Sequence, residues 1–248
     1  MSLKIGGMKM SNLNITDLKP NQAEKRDFNN CEITLKRDGT LITFKDGKLF
    51  SPRCERSDRY SKILATLKAH RTPNLMGEMY IEGGNVFDIS RSENWDKAKF
   101  MPIDLVDSNL SFNERQALLS QLVSEIKDES ITPMVKFKDF KSGWDFVEKN
   151  NEEGLVIRSS NEWFKVKKLR ESKVEIKEHE PSKEKGTFIL IDNNRVSGTS
   201  KDFVNQFNLI KSQGKTPIAE IEYPFITESG SYFQPRLRRV YAREENDG

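Results

Sequence analysis

Short runs of apolar and β-forming residues open the main body of the chain. They occupy residues 32–35 and 41–44, and a turn-forming Asp-Gly pair lies between them at residues 38–39. The pattern predicts two antiparallel strands joined by a tight turn. Further strand-like runs at residues 79–81 and 85–89 indicate that an antiparallel sheet continues beyond them.

Apolar residues at helical spacing predict two longer helices. Ser57 supplies a hydroxyl cap for the first helix. Its apolar positions are Tyr60, Ile63, Leu64 and Leu67. Ser111 and Glu114 form a capping box for the second helix. Its buried stripe consists of Leu118, Leu119, Leu122, Val123 and Ile126. Both stripes are interpreted as core, and a shorter helix is predicted at residues 144–148.

The character of the chain changes beyond Arg170. Residues 173–185 are rich in Lys and Glu and carry Pro181, which is typical of a strand followed by an exposed connector. Strands are then predicted at residues 187–191, 218–223 and 237–241, with a helix between Ser200 and Gly214. We expect an α+β chain of two domains, with an antiparallel sheet in residues 1–170 and a small all-β barrel of the OB type with one helix in residues 171–248.

Composition narrows the classes of function. Of the 248 residues, 35% are hydrophobic and 32% are charged, so the chain can bury a core beneath a heavily solvated surface. No apolar run approaches the roughly 20 residues that cross a bilayer, and no signal-peptide pattern is present, so we expect no membrane association. Cys31 and Cys54 make neither a disulfide framework nor a four-thiolate zinc site, which favours the reducing cytoplasm. The net charge of +3 permits polyanion binding without establishing it.

Lysines and carboxylates that could take part in catalysis occur in five ordered segments. The first is Lys36-Arg37-Asp38-Gly39, which alone predicts only a solvated lysine beside a turn. The four later segments are residues 77–81, 100–105, 153–158 and 163–167. Glu78 and Glu153 stand at strand starts, while Lys165 and Lys167 share one face of a strand. Each of these, taken alone, is more often part of a solvated surface, so their order along the chain carries the signal.

Taken in order, the five segments resemble the motifs of the covalent nucleotidyltransferase superfamily, which contains ATP-dependent DNA ligases, RNA ligases and messenger RNA capping enzymes. The resemblance covers about residues 32–167. Gly83, Phe87 and Asp88, together with the basic run at residues 235–240, resemble small viral and bacterial ATP-dependent DNA ligases in particular. The resemblance implies a nucleotidyltransferase (adenylation) domain followed by an OB-fold domain.

The resemblance also implies covalent chemistry at Lys36. This amine would attack the α-phosphate of ATP to give lysyl-AMP and release pyrophosphate, while Lys165 and Lys167 contact the α-phosphate. Because a lysine has an unperturbed pKa of about 10.4, the nucleophile needs neighbouring cations or a metal to favour its neutral form. Glu153 would lie near the Mg²⁺ ion, and Glu78 would accept a hydrogen bond from the ribose.

Further site residues follow from the same resemblance. Asp38 and Gly39 would shape the turn that presents the nucleophile, and Ile103, or Phe100 after a register shift, would pack on the adenine. The other nucleotide-binding residues would be Thr34, Leu35 and Arg53. The residues that contact DNA or pyrophosphate would be Arg236, Arg239 and Arg243.

The implied activity is that of a minimal ATP-dependent DNA ligase. Such an enzyme seals a 3′-hydroxyl to a 5′-phosphate at nicks in duplex DNA, through lysyl-AMP and a DNA-adenylate, with ATP and Mg²⁺. A monomer suffices for one covalent site and a polymer substrate. Leu41 stands where DNA ligases commonly carry an arginine, so an RNA ligase or a capping-type nucleotidyltransferase stays open as an alternative. A nucleic-acid-binding module of poor catalytic power is a further alternative.

Overall fold

The computed structural model describes residues 4–5, 8–9, 14–160, 162–181 and 186–243. The chain divides into two compact units, Met1–Lys167 and Lys168–Gly248. Helices and strands occur in both units, so the mixed α+β class is confirmed. The elements of the first unit are β1 (Lys4–Ile5), β2 (Met8–Lys9), β3 (Asn14–Leu18), α1 (Pro20–Ala23), β4 (Glu32–Lys36), β5 (Gly39–Lys45), β6 (Lys48–Phe50), α2 (Ser61–Ala69), β7 (Leu75–Tyr80), β8 (Lys99–Leu105), α3 (Phe112–Glu125), β9 (Lys136–Phe137), α4 (Phe140–Asn150), β10 (Gly154–Arg158) and β11 (Glu162–Lys167).

Two larger sheets form the body of the first unit. One has the strand order β3-β11-β10-β4-β9, and the other has the order β6-β5-β7-β8. Neighbouring strands are antiparallel apart from β3 and β11, which run parallel. The apolar faces of α2 and α3 pack with the four-stranded sheet around Leu67, Phe100 and Leu119, whereas α4 packs with the five-stranded sheet around Val147. Each sheet therefore has its own buried core.

The predicted hairpin between residues 32–35 and 41–44 is wrong, although both strands exist. β4 pairs with β10 and β9, whereas β5 pairs with β6 and β7. The segment from Lys36 to Gly39 therefore carries the chain from one sheet to the other. A Cβ atom on Gly39 would lie 2.3 Å from the carbonyl oxygen of Met79, so glycine is required where the new strand begins. The crossing places Lys36 in the gap between the two sheets.

The capping box predicted for the second helix is confirmed at the start of α3. The backbone N–H of Glu114 donates to Ser111 Oγ over 3.4 Å, and the backbone N–H of Ser111 donates to Glu114 Oε2 over 2.8 Å. These bonds satisfy two donors that a helix N-terminus otherwise leaves unpaired. They fix where α3 begins and hence which of its side chains face β8.

The Ser111→Ala variant should lose about 1 kcal/mol of the free energy of unfolding, because the N-terminal amides of α3 lose an acceptor. Urea-induced unfolding measures this difference. Ser124→Ala is the matched control, since the Ser124 hydroxyl lies on the same helix and donates only to the carbonyl of Gln121. Equal stability of the two variants would contradict the role assigned to the cap.

Two local predictions are wrong, and turn chemistry explains both. Ser57 does not cap a helix: its Oγ accepts from the backbone N–H of Leu49 over 3.0 Å, and α2 begins only at Ser61. The strand predicted at residues 85–89 is a turn that leads into a short 3-10 helix. The Asn85 side chain accepts from the backbone N–H of Phe87 over 2.9 Å. Such a local bond competes with a sheet ladder.

The second unit is a five-stranded antiparallel sheet with one helix. Its elements are β12 (Arg170–Glu180), β13 (Gly186–Leu190), β14 (Arg195–Thr199), α5 (Lys201–Ser212), β15 (Pro217–Tyr223) and β16 (Arg236–Ala242). The strand order is β14-β13-β12-β15-β16, and no ladder joins β14 to β16 within residues 186–243. The strands predicted at residues 187–191, 218–223 and 237–241 are confirmed, as is the Ser200 cap of the helix. The end of the predicted connector, residues 182–185, lies outside the described residues.

Two global features bear on the classes of function. In the part of the chain that the structure describes, every helix is too short or too polar to cross a membrane. Cys31 and Cys54 are both free thiols.

Candidate active site

A cavity of about 160 Å³ lies between the two sheets of the first unit. Both sheets contribute to its wall, because the chain crosses between them at Lys36. The predicted site residues that line the cavity are Thr34, Leu35, Lys36, Glu78, Ile103 and Lys165. Apolar side chains make up much of the remaining wall, among them Leu41, Met76 and Trp163. An apolar cleft with a cationic end suits a ligand that joins a flat ring system to phosphate groups.

The cationic end is organised by Glu153. Lys36 Nζ lies 2.6 Å from Glu153 Oε2, and Lys167 Nζ lies 3.1 Å from Glu153 Oε1. Strand register explains this geometry, since Gly154 pairs with Lys36 on one side and with Lys167 on the other. A Cβ atom on Gly154 would lie 2.0 Å from the carbonyl oxygen of Val166, so the position after Glu153 excludes any side chain. One carboxylate thus bridges two lysines from two different strands.

Glu153 and Glu78 hold Lys36 in its charged form. Burial lowers the pKa of Lys36, but the charges of Glu153 and Glu78 and the hydrogen bond to Glu153 outweigh it, so the pKa lies above its usual value. An ammonium group has no lone pair with which to attack. Lys36 therefore needs to transfer a proton before it can act as a nucleophile.

Glu78 and Asp38 carry the complementary shifts. Burial raises the pKa of Glu78 to about 7; the charge of Lys36 lowers it in part, while Glu153 and Asp38 raise it further. Burial, followed by the charge of Glu153, also raises the pKa of Asp38. Three carboxyl groups therefore lie close together around Lys36, and the charges of Lys165 and Lys167 offset part of their mutual repulsion. Among the described residues, these carboxyl groups are not arranged as a cluster of three or more side chains that could by themselves hold a metal ion.

The apolar end of the cavity distinguishes Ile103 from Phe100. Ile103 lines the cavity, whereas Phe100 is fully buried in the core of the four-stranded sheet. The register shift that would have given Phe100 the base-stacking position is therefore wrong. On the opposite side, Thr34 Oγ1 donates to the carbonyl oxygen of Val156 over 3.2 Å. Strand β4 thus supplies both a wall of the cavity and, at its end, Lys36.

Other predicted site residues lie outside this cavity. Asp38, Gly39, Glu153 and Lys167 do not line the cavity. Glu153 pairs with both Lys36 and Lys167, the charge of Lys36 acts on Asp38, and Gly39 begins the strand after the crossing. Arg53 is exposed in the loop after β6 and is not a lining residue either.

The predicted arginines of the tail lie on or just after β16, in the second unit, and all three are exposed. Arg239 Nε lies 3.8 Å from Glu220 Oε2, and Arg243 Nη2 lies 3.4 Å from Glu175 Oε2. Arg236 begins the strand. Two of the three arginines therefore already pair with carboxylates on other strands of the same sheet, Glu220 on β15 and Glu175 on β12.

Sequence reasoning missed Arg158, which ends β10. Its side chain is completely buried, its Nη1 donates to the carbonyl oxygen of Ile103 over 2.6 Å, and its Nη2 pairs with Glu32. The guanidinium carbon lies 5.3 Å from the ring centre of Trp163. Arg158 thereby fixes two walls of the cavity. An arginine that closes an apolar strand was the available signal, because such a charge has to find partners when it is buried.

Comparisons with known proteins show that this chain shares its fold with several solved structures. No family model matches this sequence, and no curated protein matches it. A solved Lig E DNA ligase, described as binding DNA with a minimal scaffold, is 14% identical, with a TM-score of 0.66 over 93% of this chain and 99% of that one. The ligase domain of LigD from M. tuberculosis is 17% identical, with a TM-score of 0.53 over 94% of this chain and 96% of that one. A mycobacterial DNA ligase D complexed with ATP and MES is 17% identical, with the same TM-score over 95% of this chain and 97% of that one. The chain thus has the fold of these proteins.

Proposed function

We propose that this chain is an ATP-dependent DNA ligase, with a nucleotidyltransferase domain in residues 1–170 and an OB-fold domain in residues 171–248. One observation carries the proposal: Lys36 lies at the crossing between two sheets, bonded to Glu153, at the cationic end of an apolar cavity. Binding alone does not require a lysine that is clamped in this way. The fold shared with DNA ligases, one of them complexed with ATP, supports both the reaction class and the nucleotide.

In the first step, Lys36 Nζ attacks the α-phosphorus of ATP. A P–N bond forms, the bond from the α-phosphorus to the bridging oxygen breaks, and pyrophosphate leaves. The proton lost by the ammonium has a ready acceptor in Glu153, whose carboxylate lies 2.6 Å away. Lys165 and Lys167 stabilise the charge that develops on the α-phosphate. Glu78 accepts a hydrogen bond from the ribose.

By the same resemblance, Glu153 would lie near magnesium. Both of its oxygens pair with lysines in this structure, so the ion would bind there only after Lys36 has given up its proton and left the carboxylate. When bound there, the ion supplies positive charge that offsets repulsion between the phosphates. Thr34, Leu35 and Ile103 would bind the adenosine, while Asp38 and Gly39 present the nucleophile.

The second unit is proposed to act on the polynucleotide. Its strand order, with the helix between the third and fourth strands of the unit, is the basis for proposing an OB-fold. In the later steps, AMP moves from Lys36 to the 5′-phosphate at the nick, and the 3′-hydroxyl then displaces AMP. Arg236, Arg239 and Arg243, with Arg53 of the first unit, would contact phosphates of DNA or the departing pyrophosphate. A monomer is sufficient for this sequence of reactions.

An RNA ligase or a capping-type nucleotidyltransferase is the second candidate. Leu41 favours it, because this residue lines the cavity and pairs in register with Glu78 across β5 and β7. An arginine commonly stands at this position in DNA ligases, and an apolar residue there removes one cation from the site.

A sealing assay on matched nicked substrates separates the candidates. We expect the protein, with ATP and magnesium, to join a nicked DNA duplex, and to leave it open when GTP replaces ATP. A nicked RNA duplex and single-stranded RNA of the same sequence are the comparison substrates. Joining of RNA alone would favour the second candidate. Neither joining nor transfer of AMP to the protein would favour a nucleic-acid-binding module.

A further inference from the structure

Ile15, in the first strand of the five-stranded sheet, is an exposed apolar residue at the edge of the cavity. Its side chain keeps 46% of its surface exposed, yet it lines the cavity together with Lys36 and Trp163. The other exposed large apolar side chains among the described residues, such as Leu110 and Leu118, lie outside the cavity wall. A ligand that covers this isoleucine gains the free energy of removing its apolar surface from water.

Strand register fixes what Ile15 can touch. In the parallel ladder between β3 and β11, Ile15 pairs with Trp163 and Asp17 pairs with Lys165. Residues two apart on a strand share a face and lie about 7 Å apart along it. Ile15 is therefore about 7 Å along the sheet from the level of Lys165, on the same cavity face. A nucleotide whose α-phosphate lies at Lys165 extends its nucleoside over that distance.

The neighbours of Ile15 favour a base over a second phosphate. Trp163, Ile103 and Met76 also line the cavity and present apolar surface. Lys36 and Lys167, by contrast, meet at Glu153, at the other end of the site. An apolar wall next to a cationic end matches a nucleotide laid with its base towards Ile15.

We propose that Ile15 packs on the purine base of bound ATP, so that the strand β3, which precedes all five sequence motifs, sets the affinity for the nucleotide. This role rests on the nucleotide-binding function proposed above. Ile15 makes no contact with the reacting phosphorus in this arrangement, and its contribution is the same before and during the reaction. The consequence is uniform binding, which affects the KM for ATP and leaves the maximal rate of adenylylation unchanged.

The test measures the rate of Lys36 adenylylation against ATP concentration for the parent and for Ile15→Thr. Threonine keeps the β-branched shape that suits β3, but it carries a hydroxyl where isoleucine carries its ethyl group. The KM should rise about five- to tenfold at an unchanged maximal rate, since apolar contact with the base is lost. Leu118→Thr is the matched control and should leave both parameters unchanged. The prediction that Leu118 belongs to the buried stripe of α3 is wrong, since this residue lies on the exposed side of the helix.

The other outcomes are distinct. An unchanged KM in Ile15→Thr, with an active parent, would overturn the role of Ile15 and leave the proposed function intact. A lower maximal rate at an unchanged KM would mean that β3 is only a structural support, which also overturns it. A parent that forms no adduct would instead overturn the proposed function.

A second measurement uses the unaltered protein and does not depend on the folding of a variant. Hydrogen exchange at the amides of β3, residues 14–18, should slow when the protein carries AMP. Equal exchange with and without AMP would overturn the proposed contact.

Discussion

Replacing Lys36 with alanine should abolish formation of the protein–AMP adduct. Intact-mass measurement of the parent after incubation with ATP and magnesium should show one added AMP, which is absent with GTP. In the variant no other amine replaces the lost nucleophile, because Lys165 and Lys167 project from β11 and not from the crossing at the end of β4. The parent should first be treated with pyrophosphate, which reverses the first step and strips any AMP already bound.

Two further variants distinguish nucleophilicity from charge. Lys36→Arg keeps a cation beside Glu153 but supplies no amine of adjustable pKa, and it should also form no adduct. Lys141→Ala removes an exposed lysine of α4 that pairs only with Asp145, and it should be adenylylated like the parent. An adduct on Lys36→Ala would reject the assignment of the nucleophile, even if the protein seals nicks.

Replacing Glu78 with glutamine should change how stability depends on pH. In the folded protein the pKa of Glu78 is about 7, above its ordinary value of 4.5, so the folded state binds more protons than the unfolded state between these values. Stability contributed by this group is complete below the ordinary value and is lost as the pH rises through about 7. A shift of this size corresponds to about 3 kcal/mol. Glutamine cannot ionise, so that loss should disappear in the variant.

Urea-induced unfolding at about pH 5 and about pH 8.5 measures the effect. The parent should lose about 2 to 3 kcal/mol more than Glu78→Gln between the two conditions, in the absence of nucleotide, because a pH of about 5 already lies slightly above the ordinary pKa of a glutamate. Glu178→Gln, which neutralises an exposed acid of β12, is the control and should behave like the parent. Parallel pH profiles for the parent and Glu78→Gln would refute the ionisation assigned to Glu78. The same variant should bind ATP less well, because the ribose loses a charged acceptor.

Local patterns in the sequence were sufficient for elements that local interactions determine. The α3 helix follows from Ser111, Glu114 and an apolar stripe, and all of these lie within about four turns of one helix. Strands β4, β10 and β11 are predicted by alternation or by short apolar runs. The strands with which they pair cannot be predicted from these local patterns. Lys36 and Glu153 bond to each other although they are 117 positions apart in the sequence. Nothing local in residues 32–44 indicates that the turn between β4 and β5 leads into a different sheet.

The candidate site was predictable where a residue type carries the chemistry. Lysines and carboxylates in five ordered segments indicated the cationic end, and the structure brings Lys36, Glu78 and Glu153 together there. The apolar residues that line the cavity could not be predicted in this way, because many different apolar side chains can make the same contact. Ile15 gave no signal, since β3 reaches the cavity only through its pairing with β11. Which of Ile103 and Phe100 lines the cavity was likewise decided by packing, since Phe100 is buried in the core of the four-stranded sheet.

The crossing at residues 36–39 also bears on mechanical coupling. The two sheets of the first unit have separate ladders and largely separate cores, so sliding of one past the other breaks few backbone hydrogen bonds. A ligand in the cavity contacts both sheets at once and therefore opposes the sliding of one sheet past the other. Loading the site should therefore make the two sheets of the unit unfold together, and the covalent bond proposed at Lys36 would hold the ligand in place.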